Sequence, residues 1–352
     1  MSSPAEDAVR LLQAGGYTAA VAVPLAVVCG WLARRRFGSL CPRWRMPPFV
    51  WPGLVIFTFF LGWQVLVGLA IPLLDQLGFF RAVYGPTFPP MAGPVEPTDR
   101  EQHSIALGLR GLWAQLLVVP VFVGGAAVLR SQLFRPPPDW IGEARRLPRS
   151  VALGLLGWAT FGVLAYALNV GLNFLFDELG WSVTEHPLSK MGTKGDGFGG
   201  LLLVLSACVA APLVEEFLYR GLLVPWAGER WYRPWCLLFP AAVLTIMQGG
   251  KQDGSFHAPS LAFVLVLAAG AYLVQKAGRW RPGLPARTGV AVWSSAALFA
   301  AAHSSVWPTP IPLFVLALGL GYLAARTRSW AAPAVAHAAF NAVSTVWVFL
   351  RG

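Results

Sequence analysis

The sequence predicts an all-α fold, a polytopic transmembrane helix bundle of about ten spans, and three observations carry that prediction. Of 352 residues, 56% are hydrophobic and only 12% are charged, whereas soluble domains run at roughly 45–50% and 25%. Apolar runs of roughly 17–25 residues, the length that crosses the hydrocarbon of a bilayer, recur along the chain. Basic residues gather in short clusters between alternate runs, as orientation signals do. Sixteen tryptophans fit a protein with two membrane–water interfaces. The net charge of +11 could also suit a nucleic-acid binder. No stripe of Lys and Arg with interleaved aromatics is present, so nucleic acid is not an expected partner.

In chain order, the predicted spans are 17–33, 50–74, 105–129, 151–176, 199–224, 235–249, 259–275, 289–304, 311–325 and 332–350. Those at 235–249 and 311–325 are short enough to be re-entrant or strongly tilted. The first is not a cleavable signal peptide, because its leading flank holds Glu6 and Asp7 and its basic run, Arg34-Arg35-Arg36, follows the apolar stretch. That polarity puts the N-terminus outside and the arginines in the cytoplasm. The later inner loops then agree: Arg43 and Arg45, Arg130 to Arg149, Arg230 and Arg233, Lys276 to Arg287, and Arg326 and Arg328. About two thirds of the 27 basic residues fall on that side. The expected location is the cell (inner) membrane.

Two longer outer loops are expected. Residues 75–104 are rich in Pro and Gly and carry His103; residues 177–198 carry His186 and Gly192-Thr193-Lys194-Gly195-Asp196-Gly197, which lacks the spacing of a phosphate-binding loop. His257 also falls in a loop. The cysteines, Cys29, Cys41, Cys208 and Cys236, show neither a disulfide framework nor a thiolate metal spacing. No internal repeat of the inverted-transporter kind is evident.

The chemistry concentrates in the C-terminal half. The fifth span contains Pro212-Leu213-Val214-Glu215-Glu216-Phe217-Leu218-Tyr219-Arg220, two adjacent carboxylates in an apolar helix. An ionisable side chain inside a span is costly and marks a functional site by default. Glu216 and Arg220 are four apart and share an α-helical face, where they can pair. Glu215 sits about 100° around the helix, where it is left to face a cavity if the bundle holds one. The competing reading is that both glutamates only neutralise basic partners in the bundle. His303 follows a run of small residues, Ala296 to Ala302, that lets helices approach closely. His337 and Asn341 lie at i and i+4 on the last span and point the same way. Taken singly, each of these reads equally as a packing residue. At ~1.5 Å per residue, the depths of Glu215, His303 and His337 agree within roughly 15 Å, in the cytoplasmic half of the membrane.

Glu-Glu-x-x-x-Arg (Glu215, Glu216, Arg220), Phe-x-x-x-His (Phe299, His303) and His-x-x-x-Asn (His337, Asn341) resemble, in order, the three motifs of the CPBP intramembrane proteases. That family includes the CAAX prenyl endopeptidases and the bacterial Abi-like proteins. The resemblance covers about residues 199–350 and divides the chain into two parts. Residues 1–198 form a four-span region without a diagnostic motif; 199–352 form the protease core. One departure stands out. Arg220 and His303 are separated by 82 residues, where the family has a short connection. The excess, about 231–288, reads as two inserted spans, an even number that keeps the motif helices antiparallel.

The resemblance implies an intramembrane endopeptidase that cleaves a peptide bond in a membrane-associated or lipidated protein or peptide. In that reading Glu215 accepts a proton from water, His303 helps hold the water, and His337 and Asn341 donate to the oxyanion. Glu216 pairs with Arg220 and fixes the helix, and no cofactor is required. The metal-dependent version makes Glu215, His303 and His337 a zinc set with an open position. Against it, there is no His-Glu-x-x-His helix, and Asn is a poor zinc ligand. The alternative from another class is a non-catalytic membrane protein, such as an immunity factor, scaffold or transporter subunit. It would use the same residues for packing or peptide binding. Membrane lipid is the other expected partner, and the final residues, Phe349-Leu350-Arg351-Gly352, are not a prenylation box.

Overall fold

The computed structural model describes residues 53–91, 100–133, 147–181, 183, 197–248, 258–280 and 286–351. Every regular element among them is helical, which bears out the all-α bundle. The predicted span at 17–33, and with it His186, His257 and residues 192–196, lies outside the described residues.

The helices are α1 (Gly53–Gln76), α2 (Phe79–Tyr84), α3 (Arg100–Leu133), α4 (Leu147–Glu178), α5 (Gly200–Glu229), α6 (Arg233–Gln248), α7 (Ala258–Trp280), α8 (Ala286–Ala301), α9 (Pro310–Thr327) and α10 (Ala331–Arg351). Among the described residues, five stretches are long and apolar enough to cross a membrane: Ile105–Gly124, Leu147–Glu178, Gly200–Glu229, Pro259–Ala277 and Pro310–Thr327. Phe60–Gln76 and Thr288–Ala301 are shorter apolar helices. The segment expected at 235–249 is helical but only 16 residues long, about 24 Å against a hydrocarbon core of about 30 Å. By contrast α9, expected to be short, has 18 residues and is mostly buried. It starts with Pro310 and Pro312, whose missing N–H groups cost nothing in the first turn.

Two expectations need correction. The outer loop at 75–104 is partly helical, because α2 interrupts it between Gly78 and Gly85, at φ 70° and 95°. These are left-handed conformations that glycine adopts freely. His103, expected in that loop, sits on the first turn of α3 and is half-buried. The predicted span 289–304 ends early: α8 stops at Ala301, and His303 lies in the turn that follows. The chain leaves the α-helical ladder there for tighter i to i−3 bonds, His303 N–H to Ala300 and Ser304 N–H to Ala301, as is frequent at helix C-termini.

Two compact units divide the described residues. The first comprises 147–183 and 219–337, the second 53–133, 197–218 and 338–351. In the first unit α8 is central, packed by α6, α7, α9 and the last turn of α5, Val224–Glu229. Most of its buried residues are small, Ala291, Ala296, Ala297, Ala300 and Ala301 among them, with Val290, Leu298 and Phe299 the larger ones. With lipid outside, helices gain by close backbone approach, which small residues permit. Gly319 of α9 shows the limit, since a Cβ there would collide with Phe161 of α4.

In the second unit α1 and α3 pack together, and α3 packs on the N-terminal part of α5. Arg110, wholly buried in α3, donates to Asp75 of α1 at 2.9 Å and to the carbonyl oxygen of Pro89. Its guanidinium lies 5.2 and 4.7 Å from the Phe80 and Phe88 ring centroids. A cation in a span needs such a pairing and shielding.

Candidate active site

The glutamate segment is not an even α-helix. Gly197–Leu205 and Ala211–Glu216 are α-helical, but Ser206–Ala210 and Phe217–Leu223 are π-helical. The glutamates therefore close a short α segment set between two wide turns, a feature that recurs at functional sites. The i, i+4 geometry expected from Glu216 to Arg220 does not apply unaltered, because the backbone widens from Phe217 onward. The two carboxylates also differ in exposure: Glu216 is fully buried, while Glu215 is partly exposed.

Side chains hold the first π turn in the second unit at three consecutive residues. Ser206 Oγ donates to the Leu112 carbonyl of α3 at 3.2 Å, and Asn341 Nδ2 of α10 donates to the Ala207 carbonyl at 2.7 Å. Thr345 Oγ1 donates to the Asn341 carbonyl at 2.8 Å, so in the 3.8 Å contact with Cys208 the thiol is the donor. Asn341 thus commits one N–H to the π turn and keeps the other N–H and its Oδ1. These bonds give a backbone reason for Asn341 to be an amide.

Phe299 organises the first unit. Phe299 is 1% exposed, and among the described residues its ring meets aromatic and cationic side chains. Tyr219 meets it edge-on at 5.2 Å, and the Arg220 guanidinium lies 4.9 Å from its centroid. His303 lies at 5.0 Å and His337, itself buried, edge-on at 5.6 Å. Arg220 also donates to the Ala317 carbonyl of α9 at 3.1 Å. His303 Nδ1 lies 2.9 Å from the Phe299 carbonyl oxygen. A carbonyl only accepts, so Nδ1 is the donor in this contact, and Nε2 is the ring nitrogen left to accept when the imidazole is neutral. The first unit thus gathers Arg220, Phe299, His303 and His337, and the second holds Glu215, Glu216 and Asn341. Within each unit, among the described residues, no three His, Cys, Asp or Glu side chains form a metal-holding group.

Some of these partners have no sequence signal. Ser206, Cys208 and Thr345 look like ordinary small residues of an apolar helix. Arg110 does have one, a charge inside a predicted span, but nothing in the sequence names Asp75 as its partner.

Residues 197–279 and 271–343 match the family model described as type II CAAX prenyl endopeptidase Rce1-like. The matched region contains all three motifs, so the resemblance they carry is borne out. The match supports membrane-bound peptide hydrolysis in general, and the chain is an integral membrane protein. No curated protein and no solved structure matches it.

Proposed function

Taking the Rce1-like region at 197–343 as premise, we propose that this chain is an intramembrane endopeptidase in which Glu215 activates the attacking water. The observation that supports the proposal is the hydrogen bond from His303 to the Phe299 carbonyl, because it engages Nδ1 and so leaves Nε2 as the acceptor of a neutral imidazole. A water held at Nε2 loses a proton to Glu215 as its oxygen adds to the scissile carbonyl. Charge builds on the carbonyl oxygen, where His337 and the uncommitted N–H of Asn341 donate. The tetrahedral intermediate collapses, the C–N bond breaks, and Glu215 returns its proton to the leaving amine. The division of labour follows exposure: the partly exposed Glu215 acts, and the buried Glu216 holds the helix.

The substrate class is a membrane-associated or lipidated protein or peptide. The residues act from the cytoplasmic half of the cell (inner) membrane, with the N-terminus outside. The reaction as proposed uses no metal; a zinc-dependent version would take Glu215, His303 and His337 as ligands, and Asn341 would not be one. The test is cleavage of quenched-fluorescent peptides, prenylated and unprenylated, by detergent-purified protein. Wild type, Glu215→Gln and His303→Ala are compared with and without a zinc chelator. Turnover lost in both variants and insensitive to chelator is the expected result. Loss on chelation with recovery on zinc addition transfers the role to the metal. Equal turnover in wild type and Glu215→Gln rejects Glu215 as the base.

A further inference from the structure

His303 sits on a turn rather than a helix, so regular helical hydrogen bonds do not fix its backbone. Past Ala302 the turn carries short-range bonds, His303 N–H to Ala300, Ser304 N–H to Ala301 and Val306 N–H to the His303 carbonyl, at 3.0 to 3.1 Å. What holds it from outside is the helix pair α6–α7, in the segment that separates the first two motifs.

From α6, Thr245 Oγ1 donates to the Ala241 carbonyl at 2.8 Å, which leaves its oxygen to accept from Ser304 Oγ at 3.5 Å. Both hydroxyls are fully buried, and Ser304 is the residue next to His303. From α7, Phe263 packs edge-on against Trp307 at 5.9 Å, four residues beyond His303. α7 is itself fastened to α8, because Trp293 Nε1 donates to the Leu267 carbonyl at 2.8 Å. The Trp293 ring covers Gly270, where a Cβ would collide with it. The pair therefore grips the turn directly after His303 and again at Trp307, while being anchored to the helix that leads into it.

We propose that α6–α7 is the positioning element for His303, with Thr245 and Phe263 as positioning residues that set where Nε2 stands. The inference rests on the catalytic reading of His303 given above. It gives the 82 residues between Arg220 and His303 a part in the site: two of the helices they form brace the turn. A misplacement of about 1 Å can cost about 100-fold in rate, so loosening the turn is expected to lower kcat and leave KM in place.

The experiment compares full-length wild type, Thr245→Val, Thr245→Ser, Phe263→Leu and His303→Ala in detergent. It reads kcat, KM and the rate of His303 carbethoxylation by diethylpyrocarbonate, the last residue by residue by mass spectrometry. Thr245→Val keeps shape and removes the acceptor; Thr245→Ser restores it. Expected are a kcat lowered by ~10-fold or more at unchanged KM in Thr245→Val and Phe263→Leu. An altered His303 carbethoxylation rate in both, and recovery in Thr245→Ser, are also expected. Wild-type kcat and wild-type His303 reactivity in both variants overturn the proposal. If His303→Ala itself turns over normally, the catalytic reading falls instead. The positioning claim is then decided by carbethoxylation alone, and unchanged rates overturn it.

Discussion

Nδ1 of His303 lies 2.9 Å from the carbonyl oxygen of Phe299, one turn back along the chain, and the ring of that same Phe299 meets His337 edge-on at 5.6 Å. One residue thus sets the tautomer of the first histidine through its backbone and contacts the second through its side chain. Asparagine at 303 can still donate to the Phe299 carbonyl but has no atom where Nε2 stood. His303→Asn is therefore expected to melt close to wild type in detergent while losing ~10²–10⁴-fold in turnover. Retained turnover in that variant would mean Nε2 has no part in the reaction.

Phe299→Leu tests the ring itself. Leucine fills much of the volume but offers no aromatic face to the Arg220 guanidinium at 4.9 Å and no edge contact to His337. Losing the cation–π contact in a buried setting costs about 2 kcal/mol, with about 1 kcal/mol more from the aromatic pair. Thermal unfolding should show a clear drop, accompanied by a fall in kcat. An unchanged melting temperature would remove Phe299 from the centre of the first unit.

The neighbouring glutamates should separate by phenotype. Glu215 is partly exposed and Glu216 fully buried, so Glu215→Gln is expected to lose turnover ~100-fold or more with little change in melting. Glu216→Gln should lower the melting temperature more than Glu215→Gln does. The reverse pattern, with Glu216→Gln stable and inactive, would exchange their roles.

Asn341 holds the Ala207 carbonyl at 2.7 Å, so aspartate at 341 would place a carboxylate oxygen against a carbonyl oxygen. Asn341→Asp is expected to destabilise by about 1–3 kcal/mol, the cost of an unsatisfied buried polar group. It should melt no higher than Asn341→Ala. A melting temperature above that of Asn341→Ala would mean the amide donor does not hold the π turn.

In the second unit, Asp75→Asn leaves the fully buried Arg110 without its counter-charge. Asp75 is itself partly exposed, so the cost is smaller than for a fully buried pair broken from one side, and replacing both partners with apolar residues is often milder still. Unfolding of Asp75→Asn beside Asp75→Leu/Arg110→Met should show the single variant as the weaker protein. Equal stability of Asp75→Asn and wild type would show that the Pro89 carbonyl and the Phe80 and Phe88 rings suffice for Arg110.

The sequence by itself determined the class of structure and the chemical inventory. Hydrocarbon accepts backbone only when its hydrogen bonds close internally, so long apolar runs dictate helices wherever the chain is described. A charge inside such a run is expensive enough to draw attention to Glu215 and Glu216 without coordinates. Motif order pointed to the family for the same reason: few residue types can activate water or stabilise an oxyanion, and here they recur at helical spacing. The tertiary structure decided what depends on partners distant in the chain. That α8 stops at Ala301, with His303 on the turn after it and Trp307 packed against Phe263, is visible only in the folded chain. The first π turn before the glutamates is held by Leu112, Asn341 and Thr345, and periodicity within one helix carries no trace of them. The proton on His303 Nδ1 was likewise fixed by a carbonyl whose direction only the folded backbone defines. A side chain's own chemistry is local and can be read from sequence; its orientation is set by contacts, and those come with the fold.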